Sequence, residues 1–141
     1  MKRKKPSFPQ ITSIILFLFL FSCGKELETS IPIVSTSFQV SLTIYNELKN
    51  PSGVHYFADK GYGGIIVINT GFGYSAYDAT CPYEVDTQYL VEEEGGIGTC
   101  SGCGSTYNLL DGGLLMSGPS TENLLLYRVT ATENYLYITN Y

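Results

Sequence analysis

The distribution of hydrophobic and polar residues after residue 36 predicts short β-strands joined by glycine-rich turns. The segment Phe38–Ile44 alternates between apolar and polar side chains, which is typical of a strand with one buried face. The run Ile65–Ile68 is continuously β-branched, which predicts a strand buried on both faces. The other strand candidates are Tyr74–Tyr77, Gln88–Glu92, Tyr107–Leu110, Leu124–Ala131 and Tyr135–Thr139.

Turn residues separate these strand candidates. Glycines surround Phe72, Asp111 is followed by two glycines, and Glu133 is followed by Asn134. Glycine and asparagine accept the positive φ angles of tight hairpin turns. Only residues 45–50 suggest a helical turn, and Pro51 ends it. Strands at this spacing predict one all-β domain over residues 37–141, a small antiparallel sandwich or barrel.

The charges of the chain exclude a nucleic-acid binder. Four of the eight basic residues lie at positions 2–5, whereas all 13 acidic residues follow Cys23. Without residues 1–22 the chain keeps four basic and 13 acidic residues, a net charge of −9, which is opposite in sign to a phosphate-binding surface. The sequence contains one histidine and no set of residues typical of hydrolases. The sequence therefore gives no support for hydrolytic chemistry, and we do not expect an enzyme.

The first 22 residues have the organisation of an export signal. Lysine and arginine residues at positions 2–5 precede the apolar run Ile14–Phe21, which is too short to span a bilayer as a helix. The run ends in Leu20-Phe-Ser-Cys23, which resembles a bacterial lipobox. The resemblance implies a lipoprotein signal peptide over residues 1–22, a lipid-modified Cys23 and a tether over residues 23–36. The alternative is an ordinary secretory peptide, with Cys23 as an unmodified thiol.

This organisation places the protein in the cell envelope. The lipid at Cys23 would attach the chain to a membrane, and no aspartate follows that cysteine to indicate retention at the inner membrane. We therefore expect an outer-membrane lipoprotein with an unidentified protein partner.

Three further cysteines carry the main chemical signal of the domain. Cys81 follows a predicted strand, and Cys100 and Cys103 form a Cys-x-x-Cys pair in a second, glycine-containing loop. Two cysteine-bearing loops separated by one or two strands are able to meet at one end of a sandwich. We therefore expect a shared site.

Residues 63–140 resemble the Rieske domain family, whose members hold a [2Fe–2S] cluster between two loops. The resemblance rests on Cys81-Pro-Tyr83, on Cys100-Ser-Gly-Cys103-Gly-Ser-Thr-Tyr107 after a 16-residue interval, and on the later Gly118-Pro119. It implies a Rieske-like sandwich with both cysteine loops at one end, and a function in electron transfer. Its cluster-binding positions fall on Cys81, Tyr83, Cys100 and Cys103.

The chain departs from the family at both histidine positions. A Rieske centre binds one iron through two thiolates and the other through two imidazoles. Here Tyr83 and Cys103 occupy the imidazole positions, so the resemblance is to a degenerate member with altered cluster ligands.

Four interpretations of these thiols remain open. The first is a metal-free scaffold or binding module with a disulfide from Cys81 to Cys100 or Cys103. The second is a [2Fe–2S] site with three thiolates and Tyr83. The third is structural zinc, with His55 completing a Cys₃His set. The fourth is thiol–disulfide redox chemistry at the Cys-x-x-Cys pair.

Overall fold

The computed structural model describes residues 29–140, and the regular structure in that part of the chain is almost entirely β. A single 3₁₀ turn covers Asn46–Lys49. The strands are β1 (Ser37–Ser41), β2 (Val54–Phe57), β3 (Ile65–Asn69), β4 (Tyr74–Asp78), β5 (Val91–Glu94), β6 (Ile97–Cys100), β7 (Thr106–Asn108), β8 (Leu114–Ser117), β9 (Leu126–Ala131) and β10 (Tyr135–Thr139). The all-β prediction is confirmed.

Two antiparallel sheets make up the fold. The larger sheet has six strands in the order β1-β10-β9-β4-β3-β2, and the smaller has four in the order β5-β6-β7-β8. Adjacent strands of the smaller sheet are consecutive in the chain, so three successive hairpins build it. In the larger sheet, β4 pairs with β9 and thereby joins the middle of the chain to its C-terminal hairpin.

The strands predicted at Ile65–Ile68 and Tyr74–Tyr77 are confirmed and form the hairpin of β3 and β4, with Ile65 opposite Asp78 and Asn69 opposite Tyr74. The predicted turns after Asp111 and around Asn134 also join neighbouring strands. Three strands, β2, β6 and β8, were not predicted. Their sequences are VHYF, IGTC and LLMS. None of these segments shows both a clear alternation of apolar and polar side chains and a fully buried face.

Strand β3 separates two hydrophobic cores because its successive side chains point to opposite faces of the sheet. Ile65 and Val67 lie in the first core, which the larger sheet encloses with Leu136 and Ile138. Ile66 and Ile68 lie in the second core, which the smaller sheet covers. The second core also contains Cys81, Cys100 and Tyr107. The cysteines are therefore part of the packing between the sheets.

The predicted signal peptide, the lipid attachment site at Cys23 and the first part of the tether lie outside the described residues. Residues 29–36 form no strand or helix, but Ile31 is buried and Ser30 donates its backbone N–H to a Glu122 carboxylate oxygen at 2.9 Å. Within residues 29–140, no helix has the length and apolar character needed to cross a membrane.

Candidate metal centre

Backbone hydrogen bonds bring the two cysteine loops together. Cys81 lies three residues after β4, and Thr80 forms an isolated antiparallel bridge with Leu90 at the other end of the first loop. Cys100 is the last residue of β6, and the next residue, Ser101, donates its N–H to the Leu90 carbonyl at 3.0 Å. Leu90 therefore contacts both loops and holds their cysteines on the same side.

The sulfur atoms of Cys81, Cys100 and Cys103 converge, all lying within 4.8 Å of one another. The Sγ atoms of Cys81 and Cys103 are 3.6 Å apart. Cys81 and Cys100 are buried, and Cys103 is half-buried. The expectation that the two loops share one site is thus confirmed for these three residues.

A tight turn after β6 positions Cys103. Gly104 donates its N–H to the Cys100 carbonyl at 3.0 Å, and Cys100 donates its own N–H to the Ser105 carbonyl at 2.9 Å. Gly104 has a φ of +72°, a conformation that glycine adopts without steric cost. The Cys-x-x-Cys-Gly order therefore turns the backbone so that the sulfur atoms of both cysteines lie on one side.

Ser105 connects this turn to the loop around Gly118. Its Oγ lies 3.1 Å from Cys103 Sγ and accepts a hydrogen bond from the N–H of Ser120, also at 3.1 Å. A Cβ atom on Gly118 would lie 2.4 Å from the Ser105 Cα, so only glycine permits this approach. The glycine–proline segment found in the sequence therefore packs directly against the cysteine turn.

Tyr107 completes the buried side of the site. Its hydroxyl is 3.4 Å from Cys81 Sγ, and its side chain is fully buried. Burial and the neighbouring Cys81 thiol raise the pKa of Tyr107, so the phenol stays protonated and is able to donate to a thiolate. Neither Ser105 nor Tyr107 was predicted as a site residue, although both lie in the motif that follows Cys103.

The thiols differ in acidity. Burial raises the pKa of Cys100 to about 11. Burial also opposes the ionisation of Cys103, but hydrogen bonds from the Ser105 hydroxyl and backbone N–H and from the thiols of Cys100 and Cys81 outweigh it and lower the pKa of Cys103. Of these two thiols, Cys103 therefore ionises more readily than Cys100.

The remaining predicted ligands occupy different surroundings. Tyr83 follows Cys81 by two residues and is 56% exposed, and its role as a ligand stays a prediction. His55 lies outside the sulfur group and contacts a Glu47 carboxylate oxygen through Nδ1 at 2.8 Å. Its ring packs against Tyr45 and Phe57 beside the first core. The proposal that His55 completes a Cys₃His zinc set is therefore wrong.

The donor atoms do not fit a Rieske cluster in its usual ligation. That cluster needs two imidazoles, and the sole histidine of the sequence is not in the group of sulfur atoms. Three convergent thiols do suit thiophilic metals such as iron and zinc. Two thiolates on one tetrahedral ion lie about 3.8 Å apart when each metal–sulfur bond is about 2.3 Å. The 3.6 Å between Cys81 and Cys103 is close to that spacing.

Similarity to known proteins is detectable at the level of structure. No protein-family model matches the chain, and no curated protein matches it. One similar structure is a chain from the complex of reduced oxygenase and oxidised ferredoxin in carbazole 1,9a-dioxygenase, with a TM-score of 0.52 and 19% identity. The alignment covers 73% of this chain and 92% of that one.

A second similar structure is the ferredoxin of carbazole 1,9a-dioxygenase from Nocardioides aromaticivorans IC177. Its TM-score is 0.51 at 14% identity, and the alignment covers 77% of this chain and 98% of that one. Both neighbours are structures that contain a ferredoxin of carbazole 1,9a-dioxygenase. The chain therefore has a Rieske-like β-sandwich fold, with its three-thiol site at the meeting point of the two cysteine loops.

Proposed function

We propose that this protein is a lipid-anchored component of the cell envelope whose Rieske-like domain transfers single electrons through an iron centre held by thiolates. The observation that carries the proposal is the convergence of the Cys81, Cys100 and Cys103 sulfur atoms within 4.8 Å on this fold. The similar structures are ferredoxins of a dioxygenase, which supports a role in electron transfer and the existence of a protein redox partner.

Iron bound at this site would supply a one-electron redox couple. The chain contributes thiolate ligands in place of the Rieske imidazoles, and thiolates lower the potential relative to an imidazole-ligated centre. Cys103 is readier than Cys100 to bind as a thiolate because the pKa of Cys103 is lowered whereas that of Cys100 is raised. The protonated phenol of Tyr107 is placed to donate a hydrogen bond to Cys81, and burial of Cys81 and Cys100 keeps water from their sulfur atoms.

The lipid anchor belongs to the same proposal. Its support is the sequence alone: a basic start, a short apolar run and the lipobox-like residues that end in Cys23. Acyl chains at Cys23 would hold the domain on the outer membrane, because each buried CH₂ group contributes about 0.8 kcal/mol to membrane binding.

Metal and sulfide analysis of the full chain tests the iron centre. The protein would be isolated without oxygen from bacterial membranes, and its iron, zinc and acid-labile sulfide would be measured per chain. We expect one iron without sulfide, or two irons with two sulfides, together with visible absorption that reduction bleaches.

Cys100→Ser should abolish this iron, whereas Cys23→Ser should keep the iron and move the protein to the soluble fraction. Zinc alone, or no metal, would contradict the iron centre.

The same preparation tests Tyr83 as a ligand. Tyr83→Phe removes only the phenol oxygen and leaves the ring. If the phenolate binds iron, the visible spectrum of the iron-loaded protein changes in this variant. An unchanged spectrum and iron content would remove Tyr83 from the ligand set.

A second candidate function is a metal-free binding or structural module with a disulfide at this site. The contact of 3.6 Å between Cys81 Sγ and Cys103 Sγ favours this pair over other pairings, and exported proteins encounter oxidising conditions. Iron-free protein whose thiol count rises by two on reduction would support this candidate. Peptide mapping should then show the Cys81–Cys103 linkage, and a Cys100 linkage would contradict the pairing.

A further inference from the structure

The first described residues of the chain pack against the same end of the domain as the three thiols. Ser30 hydrogen-bonds the Glu122 carboxylate through its backbone N–H and its hydroxyl. Ile31 is only 2% exposed, so this part of the chain is anchored by burial as well as by hydrogen bonds. The chain therefore enters the domain beside the loop that contains Glu122.

A continuous series of contacts links this entry point to the thiol site. The Glu122 carbonyl accepts a hydrogen bond from Ser120 Oγ at 3.1 Å. The Ser120 N–H donates to Ser105 Oγ, which lies 3.1 Å from Cys103 Sγ. Ser30 and Cys103 are thus joined through only three intervening residues.

The opposite end of the domain is the tip of the β3–β4 hairpin. Phe72 at this tip is fully exposed, and Cys81 follows it by nine residues, five of which form β4. At about 3.3 Å per extended residue, these nine residues span at most roughly 30 Å between the tip and the thiol site.

We infer that the thiol end of the domain faces the membrane that holds the chain, and that its neighbouring surface is a phospholipid bilayer. The inference rests on lipidation of Cys23, which is part of the proposed function. Six residues lie between Cys23 and Ser30, and the seven steps from Cys23 to Ser30 span at most about 25 Å even when fully extended. A domain with its hairpin tip on the bilayer would hold Ser30 up to roughly 30 Å above the lipid, so this segment would have to be almost fully extended, at a cost in conformational entropy.

The exposed side chains at the thiol end suit a lipid interface. Tyr83 is 56% exposed, and Tyr89, which packs over Gly102 of the cysteine turn, is 38% exposed. Met116 is 57% exposed beside Ser117, which pairs with Thr106. Tyrosine rings at membrane interfaces keep their apolar body against lipid and their hydroxyl in water. A partner that exchanges electrons with the site would then be associated with the membrane.

Photo-crosslinking of the full lipidated chain in vesicles tests the orientation. The vesicles would contain phosphatidylethanolamine and phosphatidylglycerol, with a small fraction of lipid carrying a photoactivatable headgroup. Flotation first establishes that the chain is attached, and mass spectrometry then locates the crosslinks. We expect crosslink yields several-fold higher in residues 81–90 and 114–120 than in residues 70–73.

Two controls separate this inference from the anchor itself. Cys23→Ser should not float and should give no crosslinks. A flexible insert of about 30 residues between Cys23 and Thr29 should float but lose the difference between the two ends, because the reach restriction is gone. Native chain that floats but crosslinks equally at both ends, or mainly at residues 70–73, overturns the orientation and leaves the anchor intact. Native chain that does not float overturns the anchor and the orientation together, while the metal analysis still stands.

Discussion

At the scale of single residues, the site depends on the hydroxyl of Ser105. Its oxygen accepts hydrogen bonds from the Ser120 N–H and from the Cys103 thiol, and when Cys103 ionises the hydroxyl proton is available for a hydrogen bond to the thiolate. That hydrogen bond favours the thiolate over the thiol and is one cause of the lowered pKa of Cys103. The main-chain N–H of a neighbouring loop thus orients a side chain that controls the acidity of Cys103.

Removal of this hydroxyl should make Cys103 less reactive. In reduced, metal-free protein, Cys103 should be alkylated before Cys100, whose pKa is raised to about 11. Ser105→Ala should raise the pKa of Cys103 and slow its alkylation near neutral pH by about tenfold, since a hydrogen bond to a charged group contributes about 1.5–3 kcal/mol. The rate would be measured by peptide mass spectrometry. Ser101→Ala, an exposed serine in the same turn, should leave the rate unchanged. An equal loss in both variants would contradict this role of Ser105.

Tyr107 should tune the potential of bound iron. Its protonated hydroxyl faces Cys81 Sγ at 3.4 Å, and a hydrogen bond to a ligand sulfur stabilises the reduced, more negative centre. Tyr107→Phe should therefore lower the midpoint potential by about 40 mV, which corresponds to about 1 kcal/mol in a one-electron couple. Redox titration of the iron-loaded protein measures this shift. Tyr127→Phe, which removes a buried hydroxyl bonded to Asp78 instead, should leave the potential unaltered.

At the scale of elements, the loop after β8 depends on glycine at one position. Gly118 has a φ of +107°, and a side chain there would collide with the Ser105 backbone. Gly118→Ala should lower the free energy of unfolding by about 3 kcal/mol or more, because overpacking adds to an unfavourable φ. Gly71→Ala provides the control, since Gly71 also has a positive φ but open space around it. Denaturant unfolding should show a loss of only about 1 kcal/mol for the control, and equal losses would contradict the packing argument.

Strands with more buried residues were easier to predict from the sequence. Strand β3 was predicted because all of its first four residues are buried, which selects a continuous β-branched run. Strand β2 was missed because only Phe57, its last residue, is buried at the edge of the larger sheet. Strand β6 contains Gly98, which leaves room for Val91 and Leu109, so tertiary packing selects a residue that is unfavourable in strands.

The predictability of the site has a similar limit. The convergence of Cys81 with Cys100 and Cys103 followed from the motif spacing and from the resemblance to a known fold. The contacts of Ser105 with Ser120 were not predictable, because they join residues 15 positions apart through loop geometry alone. The same is true of Ser30 and Glu122, which are 92 positions apart and carry no periodic signal.

At the scale of the whole molecule, the thiols belong to only one of the two cores, so a metal bound by them would stabilise the two parts of the fold unequally. The first core lies within the larger sheet and contains no cysteine, whereas Cys81 and Cys100 are packed into the second core under the smaller sheet. A ligand that binds only the folded site stabilises the parts that must be formed to bind it.

Removal of the metal, or Cys81→Ser, should therefore accelerate amide hydrogen exchange in β5, β6 and β7. Exchange in β1, β9 and β10 should change little, because their pairing needs none of the thiols. A uniform acceleration across both sheets would mean that the domain unfolds as one unit and that its two cores are thermodynamically inseparable.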